Sequence, residues 1–189
     1  PQRPEHRGRL TVALDLDGLL IASYTPKRAP RLPPSMVTHL VGRGSALNPA
    51  GVLVVERPGL HRFLHAVAAE AEVIVFTAGL REYASPILDA IDPTGKLIAA
   101  RVYRDGTPLA FLRQPRNGVP VLAFRGDPDD RLLTEAVLPL LQVRRIEREG
   151  CFSFLAFYFF PFSTRARART TPRSHVTERR GGSQRVSPF

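Results

Sequence analysis

Two aspartates, Asp15 and Asp17, close an apolar, strand-like run in the segment LTVALDLDGLLIAS, residues 10–23. The run alternates larger and smaller side chains, which predicts a strand buried on at least one face. Residues i and i+2 of a strand project to the same side, so both carboxylates are expected to face one place. Two neighbouring like charges oppose each other's ionisation. The pair is therefore typical of a site where a cation lies between the carboxylates or where one of them carries a proton. A simple turn that uses Asp and Gly at a strand end is the alternative.

Strand-like and helix-like segments alternate along the chain, and these elements must position the two aspartates. Short apolar runs predict strands at VLVVE, EVIVF, KLIAARVY and VPVLAF (52–56, 72–76, 96–103 and 119–124). Helical spacing predicts helices within 58–71, 81–91 and 127–141. The first two helices are expected to bury Leu60, Phe63, Leu64 and Val67, and Ala84, Ile87, Leu88 and Ile91.

This alternation predicts an α/β fold with a mainly parallel sheet. Such a sheet places its ligand at the carboxyl ends of its strands, where Asp15, Asp17 and Thr77 all lie. The Pro- and Gly-rich stretch near 26–50 predicts a long loop.

The composition limits the classes of protein that fit. A chain of 189 residues with 43% hydrophobic residues is large enough for one globular domain. Its single cysteine, Cys151, excludes an intrachain disulfide and a cysteine-based zinc site. No apolar run reaches the ~20 residues of a transmembrane helix. The net charge of +10 is concentrated in residues 143–189, which hold ten arginines and three acidic residues. We therefore expect no specific nucleic-acid binding, and only weak electrostatic contacts of this tail.

Several segments carry a resemblance in the same order along the chain. LTVALDLDGLLIAS, VVERPGLHRFL, VIVFTAGLREYASPILDAIDPTGKLIAARVYRD and FLRQPRNGVPVLAFRGDPDDRLLTEAVLPLL are similar to successive motifs of one family. This family comprises the phosphatases that act on the C-terminal domain of RNA polymerase II, within the haloacid dehalogenase superfamily. The resemblance implies a Rossmann-like haloacid dehalogenase fold over residues 9–142.

The resemblance also implies roles for individual residues. Asp15 would be the nucleophile that forms an aspartyl-phosphate, and Asp17 would protonate the leaving oxygen and then activate water. Thr77 and Ala78 would bind the phosphoryl oxygens. Asp15 and Asp17, the latter through its backbone carbonyl, would hold Mg²⁺ together with a further acidic residue. The implied substrate is a protein phosphorylated on serine or threonine, and the implied location is the nucleus.

Two departures from the family pattern affect this site. Gly18 and Leu19 stand where the family usually has Glu and Thr. After RVYRDG the chain also lacks a few dozen residues of the pattern. In the family these residues carry a lysine that contacts the nucleophile, and a strand that ends in two aspartates. The chain's two lysines, Lys27 and Lys96, stand elsewhere.

These departures predict a damaged catalytic domain. The acids of GDPDD (Asp127, Asp129 and Asp130) match the start of the family's last helix, so they are not expected to replace the lost aspartates. The shortening near 105–110 predicts that a central strand is missing and that activity is low or lost. The alternative function is a non-catalytic binding module, of the kind found as a receptor subunit of the mitochondrial inner-membrane translocase.

The segment 143–189 does not resemble the family's ending. Six phenylalanines lie between Cys151 and Phe162, with no helical or alternating period. Arginine, serine and threonine dominate the rest, a composition typical of disorder. The sequence therefore predicts that the domain ends at 142 and that a disordered basic tail follows, in a truncated variant of the family's domain.

Overall fold

The computed structural model describes residues 4–42, 51–104, 118–146 and 154–159. Its first sheet has five parallel strands in the order β6-β5-β1-β8-β7. These strands are β1 (Leu10–Asp15), β5 (Ala71–Phe76), β6 (Ala100–Val102), β7 (Gly118–Val121) and β8 (Phe154–Phe159). The predicted α/β class with a parallel sheet is therefore confirmed.

A second, antiparallel sheet has three strands in the order β2-β4-β3. It consists of β2 (Ile21–Tyr24), β3 (Thr38–Val41) and β4 (Val52–Glu56). β3 lies inside the stretch that was predicted to be a loop. Buried Glu56 joins this sheet to the first helix, because its two carboxylate oxygens contact His39 Nε2 at 2.6 Å and His61 Nε2 at 2.7 Å.

Helices pack on the parallel sheet through the faces that their sequences predict. Helix α1 (Leu60–Glu70) buries Leu60, Phe63, Leu64 and Val67, and α2 (Arg81–Ile91) buries Ala84, Ile87, Leu88 and Ile91. They share one core with β1 and β5. Burying each such aliphatic or aromatic side chain contributes about 1.5–3 kcal/mol. Within the described part of the chain, no helix has the length and apolarity to cross a membrane.

The last helix begins with a π-helical turn, Leu133–Val137, and continues as α3 (Leu138–Ile146). It therefore runs past residue 142, where the sequence predicts the end of the domain. The predicted strand 96–103 is shorter than expected, because the backbone N–H groups of Lys96, Leu97 and Ile98 donate to the Asp92 carboxylate instead of to a neighbouring strand.

The centre of the parallel sheet differs from the prediction. β8 comes from the Phe-rich run of the predicted tail and lies between β1 and β7. It pairs with residues 11–14 of β1 and with all of β7. β1 and β7 therefore both have a backbone partner in β8. The predicted shortening near 105–110 lies outside the described residues. Central strands of parallel sheets are covered on both faces and need no alternating pattern, so a continuous apolar run suits this position. Residues 147–153 and 160–189 of the predicted tail lie outside the described residues.

Candidate active site

Asp15 and Thr77 lie at neighbouring strand ends on the carboxyl edge of the parallel sheet. In the register of β1 and β5, Asp15 is opposite Phe76, so Thr77 is the first residue beyond the pairing. Leu16 N–H donates to Phe76 O at 3.2 Å, and Thr77 N–H donates to Val102 O at 2.9 Å. These hydrogen bonds fix the backbone directly after β1 and β5. Asp15 is half-buried and Thr77 is buried. The strand order thus brings together the two residues that sequence analysis placed at strand ends.

The loop between β1 and β2 carries Asp17. Gly18 adopts a φ of +80°, a left-handed conformation that glycine accepts without steric cost. Its N–H donates to Ile21 O at 2.8 Å, which closes the turn. The glycine that departs from the family pattern therefore fits the backbone of this loop.

The carboxylate of Asp17 is held by two hydroxyl groups. Its Oδ1 accepts a hydrogen bond from Tyr83 Oη at 2.7 Å and another from Ser23 Oγ at 2.9 Å, and the two hydroxyls also contact each other. Burial, and secondarily the charge of Asp17, raises the pKa of Tyr83 well above its ordinary value. Tyr83 therefore stays protonated, as a donor to Asp17, over the whole physiological pH range.

Sequence analysis missed both partners of Asp17. Tyr83 lies on α2 among the apolar residues that define its buried face, and Ser23 lies on β2 beyond the turn. The sequence nevertheless contains a signal for Tyr83, because the amino end of a helix that follows a parallel strand lies near the carboxyl edge of the sheet. Polar residues in the first turn of α2 are therefore candidates for this site.

The loop after β5 is tightly packed. Thr77 Oγ1 accepts a hydrogen bond from Gly79 N–H at 2.9 Å, while Ala78 is exposed. A Cβ atom at position 79 would lie 2.8 Å from Tyr83 Cδ1 and 3.1 Å from Thr77 Oγ1. Glycine at this position thus lets the Tyr83 ring approach the loop that presents Thr77 and Ala78.

A buried arginine holds the loop of Asp17 from the other side. Arg57 donates to the backbone carbonyls of Gly18 at 3.4 Å and Leu19 at 3.1 Å, and to Leu122 O at 3.3 Å. It also forms a bidentate ion pair with Asp130, with both distances 2.7 Å. The carboxylate of Asp130 is therefore paired with Arg57.

A family model described as "NLI interacting factor-like phosphatase" matches residues 10–108, just over half of the chain. The chain belongs to this family. The sequence prediction of a phosphatase of the C-terminal-domain type is therefore confirmed at the level of the family.

Several known proteins are similar to this family member. A probable C-terminal domain small phosphatase of Dictyostelium discoideum is 32% identical over 169 residues, which cover 75% of this chain and 52% of that protein. CTD nuclear envelope phosphatase 1 of Xenopus tropicalis is 27% identical over 183 residues, covering 77% and 73%. The solved structure of Fcp1, an essential RNA polymerase II CTD phosphatase, has 25% identity and a TM-score of 0.43, and the match covers 54% of this chain and 32% of that chain. The chain thus spans about half the length of the Dictyostelium relative.

Membership of the NLI interacting factor-like family implies a magnesium ion, and the donors at the end of β1 fit one in part. Mg²⁺ prefers oxygen ligands and commonly takes one or two from protein, the rest coming from phosphate and water. Asp17 Oδ1 already accepts two hydrogen bonds, so the expected protein ligands are the Asp15 carboxylate and the Asp17 backbone carbonyl.

A third acidic ligand is not found in the described ranges. β8, which lies next to β1, has the sequence FLAFYF and contributes no carboxylate. Among residues 4–42, 51–104, 118–146 and 154–159, no three His, Cys, Asp or Glu side chains form a group suited to a metal ion. In the described ranges, the expected protein ligands of magnesium are therefore the Asp15 carboxylate and the Asp17 backbone carbonyl alone.

Proposed function

We propose that the chain is a protein serine/threonine phosphatase domain with Asp15 as the nucleophile and Asp17 as the acid and base, working far more slowly than an intact family member. The observation that carries the proposal is the arrangement at the carboxyl edge of the sheet. Asp15 ends β1 beside the strand that leads into Thr77, and the next carboxylate along the chain is held by two hydroxyls.

The reaction has two balanced steps. An oxygen of Asp15 attacks phosphorus and forms a P–O bond, while the bond to the serine or threonine oxygen breaks and Asp17 gives that oxygen its proton. Asp17 then takes a proton from water, whose oxygen forms a bond to phosphorus as the bond to Asp15 breaks. Inorganic phosphate leaves, and both aspartates return to their starting states.

Thr77 and Ala78 are proposed to bind the phosphoryl group. Because Thr77 Oγ1 already accepts the Gly79 N–H, its own hydroxyl proton is directed elsewhere and can be donated to a phosphoryl oxygen. Ala78 lies exposed next to it, where its backbone N–H can add a second donor. Hydrogen bonds to an ionised group are among the stronger ones in proteins, so this loop favours a dianionic ligand.

Slow turnover follows from what the chain lacks. Magnesium, when bound, neutralises the charge that builds up on the transferring phosphoryl group. Asp15 and the Asp17 carbonyl would give it two protein ligands, and the family's lysine has no counterpart at its expected place in the sequence. The alignment with the Dictyostelium relative is 169 residues long but includes only 75% of this 189-residue chain. It therefore contains gaps on the side of this chain, which supports an internal deletion.

Substrate and location are proposed from the relatives. These relatives are named as C-terminal-domain and nuclear envelope phosphatases, which supports a phosphorylated protein substrate and a nuclear location. None of the relatives named above is a translocase subunit, so the mitochondrial alternative gains no support from them.

Turnover of a phosphoserine peptide with Mg²⁺ tests the proposal. We expect slow release of phosphate that disappears in Asp15→Asn and in EDTA, together with an acid-stable, hydroxylamine-sensitive phosphoenzyme. Asp129→Asn is the matched control, because Asp129 is exposed and lies outside the site. Robust turnover, equal to that of an intact relative, would contradict the proposed impairment, and activity that survives Asp15→Asn would contradict the nucleophile.

The second candidate function is a binding module, favoured by the absence of any acid in β8. It predicts that the wild-type chain binds a phosphoserine peptide more tightly than the unphosphorylated peptide, yet forms no phosphoenzyme. Binding isotherms for both peptides, recorded beside the turnover assay, separate the two functions.

A further inference from the structure

The orientation of Asp17 depends on a residue that belongs to a different element. Tyr83 lies on α2, and its hydroxyl reaches Asp17 Oδ1 at 2.7 Å; Ser23 on β2 reaches the same oxygen at 2.9 Å. Both hydroxyl groups therefore donate hydrogen bonds to the same carboxylate oxygen. A proton on this carboxyl group is expected on the other oxygen, Oδ2, because Oδ1 is already an acceptor twice.

The Tyr83 ring is itself fixed in place. It packs against the core cluster shared by α2 and the parallel sheet. It also lies so close to Gly79 that a Cβ there would be 2.8 Å from its Cδ1. The hydroxyl that holds Asp17 is therefore carried by a rigid group, wedged between the core and the loop of Thr77.

We propose that Tyr83, assisted by Ser23, is a positioning residue that orients Asp17 so that Oδ2 faces the leaving oxygen of the substrate. This inference rests on the proposed function, because it assigns a role within the same reaction. It goes beyond that function by naming the residue that sets the geometry of proton transfer. Tyr83 acts only through Asp17 and does not touch the reacting atoms.

The dependence on the leaving group tests the inference. Nitrophenolate leaves readily without a proton, whereas a serine alkoxide requires one, so a misplaced acid slows only the second substrate. For Tyr83→Phe, we expect kcat to fall about 10- to 100-fold on a phosphoserine peptide, within the range attributed to general acid catalysis. On nitrophenyl phosphate we expect less than about a threefold change. Ser23→Ala should show the same pattern more weakly, since Tyr83 remains.

Three controls separate positioning from a merely structural role. Tyr24→Phe removes a hydroxyl from the same sheet as Ser23 and should change neither rate. In the Asp17→Asn background, Tyr83→Phe should add no further loss on the peptide, because residues that act through one group are not additive. The thermal shift given by beryllofluoride with Mg²⁺, which mimics the phosphoryl group on Asp15, should be the same in the wild type and in Tyr83→Phe.

Each remaining outcome has a definite meaning. An equal loss on both substrates, no loss on the peptide, or additivity with Asp17→Asn overturns the positioning role. A wild-type chain that binds beryllofluoride but hydrolyses neither substrate overturns it as well, because an oriented acid then has no catalytic effect. A wild-type chain that neither binds beryllofluoride nor hydrolyses nitrophenyl phosphate contradicts the proposed function itself.

Discussion

Arg57 and Asp130 form a bidentate ion pair that ties the loop of Asp17 to the start of the last helix. The two nitrogen–oxygen distances are both 2.7 Å, and the Arg57 side chain is only 1% exposed. The same guanidinium donates to the carbonyls of Gly18 and Leu19 and lies 5.3 Å from the centre of the Phe124 ring. The pair therefore joins segments that are far apart in sequence and directly supports the candidate active site.

The first prediction concerns the stability that this pair provides. Asp130→Asn leaves a buried guanidinium without a countercharge, so we expect the free energy of unfolding to fall by about 3 kcal/mol. Arg57→Lys keeps the charge but loses the fork and should also destabilise the fold. Urea denaturation measures both, and Asp129→Asn serves as the exposed control. A loss below about 1 kcal/mol in Asp130→Asn would contradict the structural role given to the pair.

The second prediction concerns acid pH. Burial alone would raise the pKa of Asp130, but hydrogen bonds from Arg57 and from Leu132 N–H outweigh it, and the pKa is lowered. When the pKa is lower in the folded state, the ionised carboxylate stabilises the fold at any pH above the pKa of the unfolded state. This stabilisation is lost as the pH falls through the pKa of the folded state.

We therefore expect the free energy of unfolding to drop below about pH 4 in the wild type. The drop should be shallower in Asp130→Asn, which has no carboxyl group to protonate. Chemical denaturation from pH 6 to pH 2 provides the test. Parallel pH curves for the two proteins would show that Asp130 does not carry the effect.

The third prediction concerns β8 as a central strand. Ala156 is paired with Ala13 of β1 on one side and with Gly118 of β7 on the other. Proline at this position removes a ladder hydrogen bond and does not fit the interior of a sheet. We expect Ala156→Pro to lower the free energy of unfolding by about 3 kcal/mol or more.

Ala168→Pro is the matched control for this substitution, because it lies in the Arg-rich segment that is predicted to be disordered. It should leave the thermal melting temperature unchanged. If both variants melt like the wild type, Phe154–Phe159 is not part of the folded sheet in solution.

The fourth prediction uses the register of β8 to restore a metal ligand. Phe157 is paired with Leu14, so Tyr158 is the residue level with Asp15. An aspartate at this position would add a carboxylate to the strand next to β1, at the edge of the sheet where Asp15 lies. We expect Tyr158→Asp to tighten Mg²⁺ binding about tenfold, equivalent to about 1.4 kcal/mol.

Isothermal titration with Mg²⁺ measures this gain, and Tyr158→Asn provides the uncharged comparison. A folded Tyr158→Asp protein with wild-type affinity would contradict the placement of β8 beside the site.

Local patterns in the sequence predicted much of the fold. The buried faces of α1 and α2 follow helical spacing, and Asp15 and Thr77 follow directly on strands whose apolar runs are clear. Three features depend on contacts between distant residues and were missed. β8 lies in the Phe-rich run that the sequence assigns to a disordered tail, and it forms a strand by pairing with β1 and β7. β3 lies in a stretch rich in Pro and Gly, where propensity favours a loop, and it forms a strand by pairing with β4. Tyr83 and Ser23 converge on Asp17 only after α2 and β2 have packed.

The place of β8 also sets an order of events during synthesis. β1 leaves the ribosome long before β8, which is its neighbour on one side in the sheet. Until residue 159 emerges, the edge of β1 that pairs with β8 is unpaired, and β7 also lacks its partner strand. Pairings between such distant segments form slowly, so the unpaired edge of β1 stays accessible to chaperones until β8 has been translated.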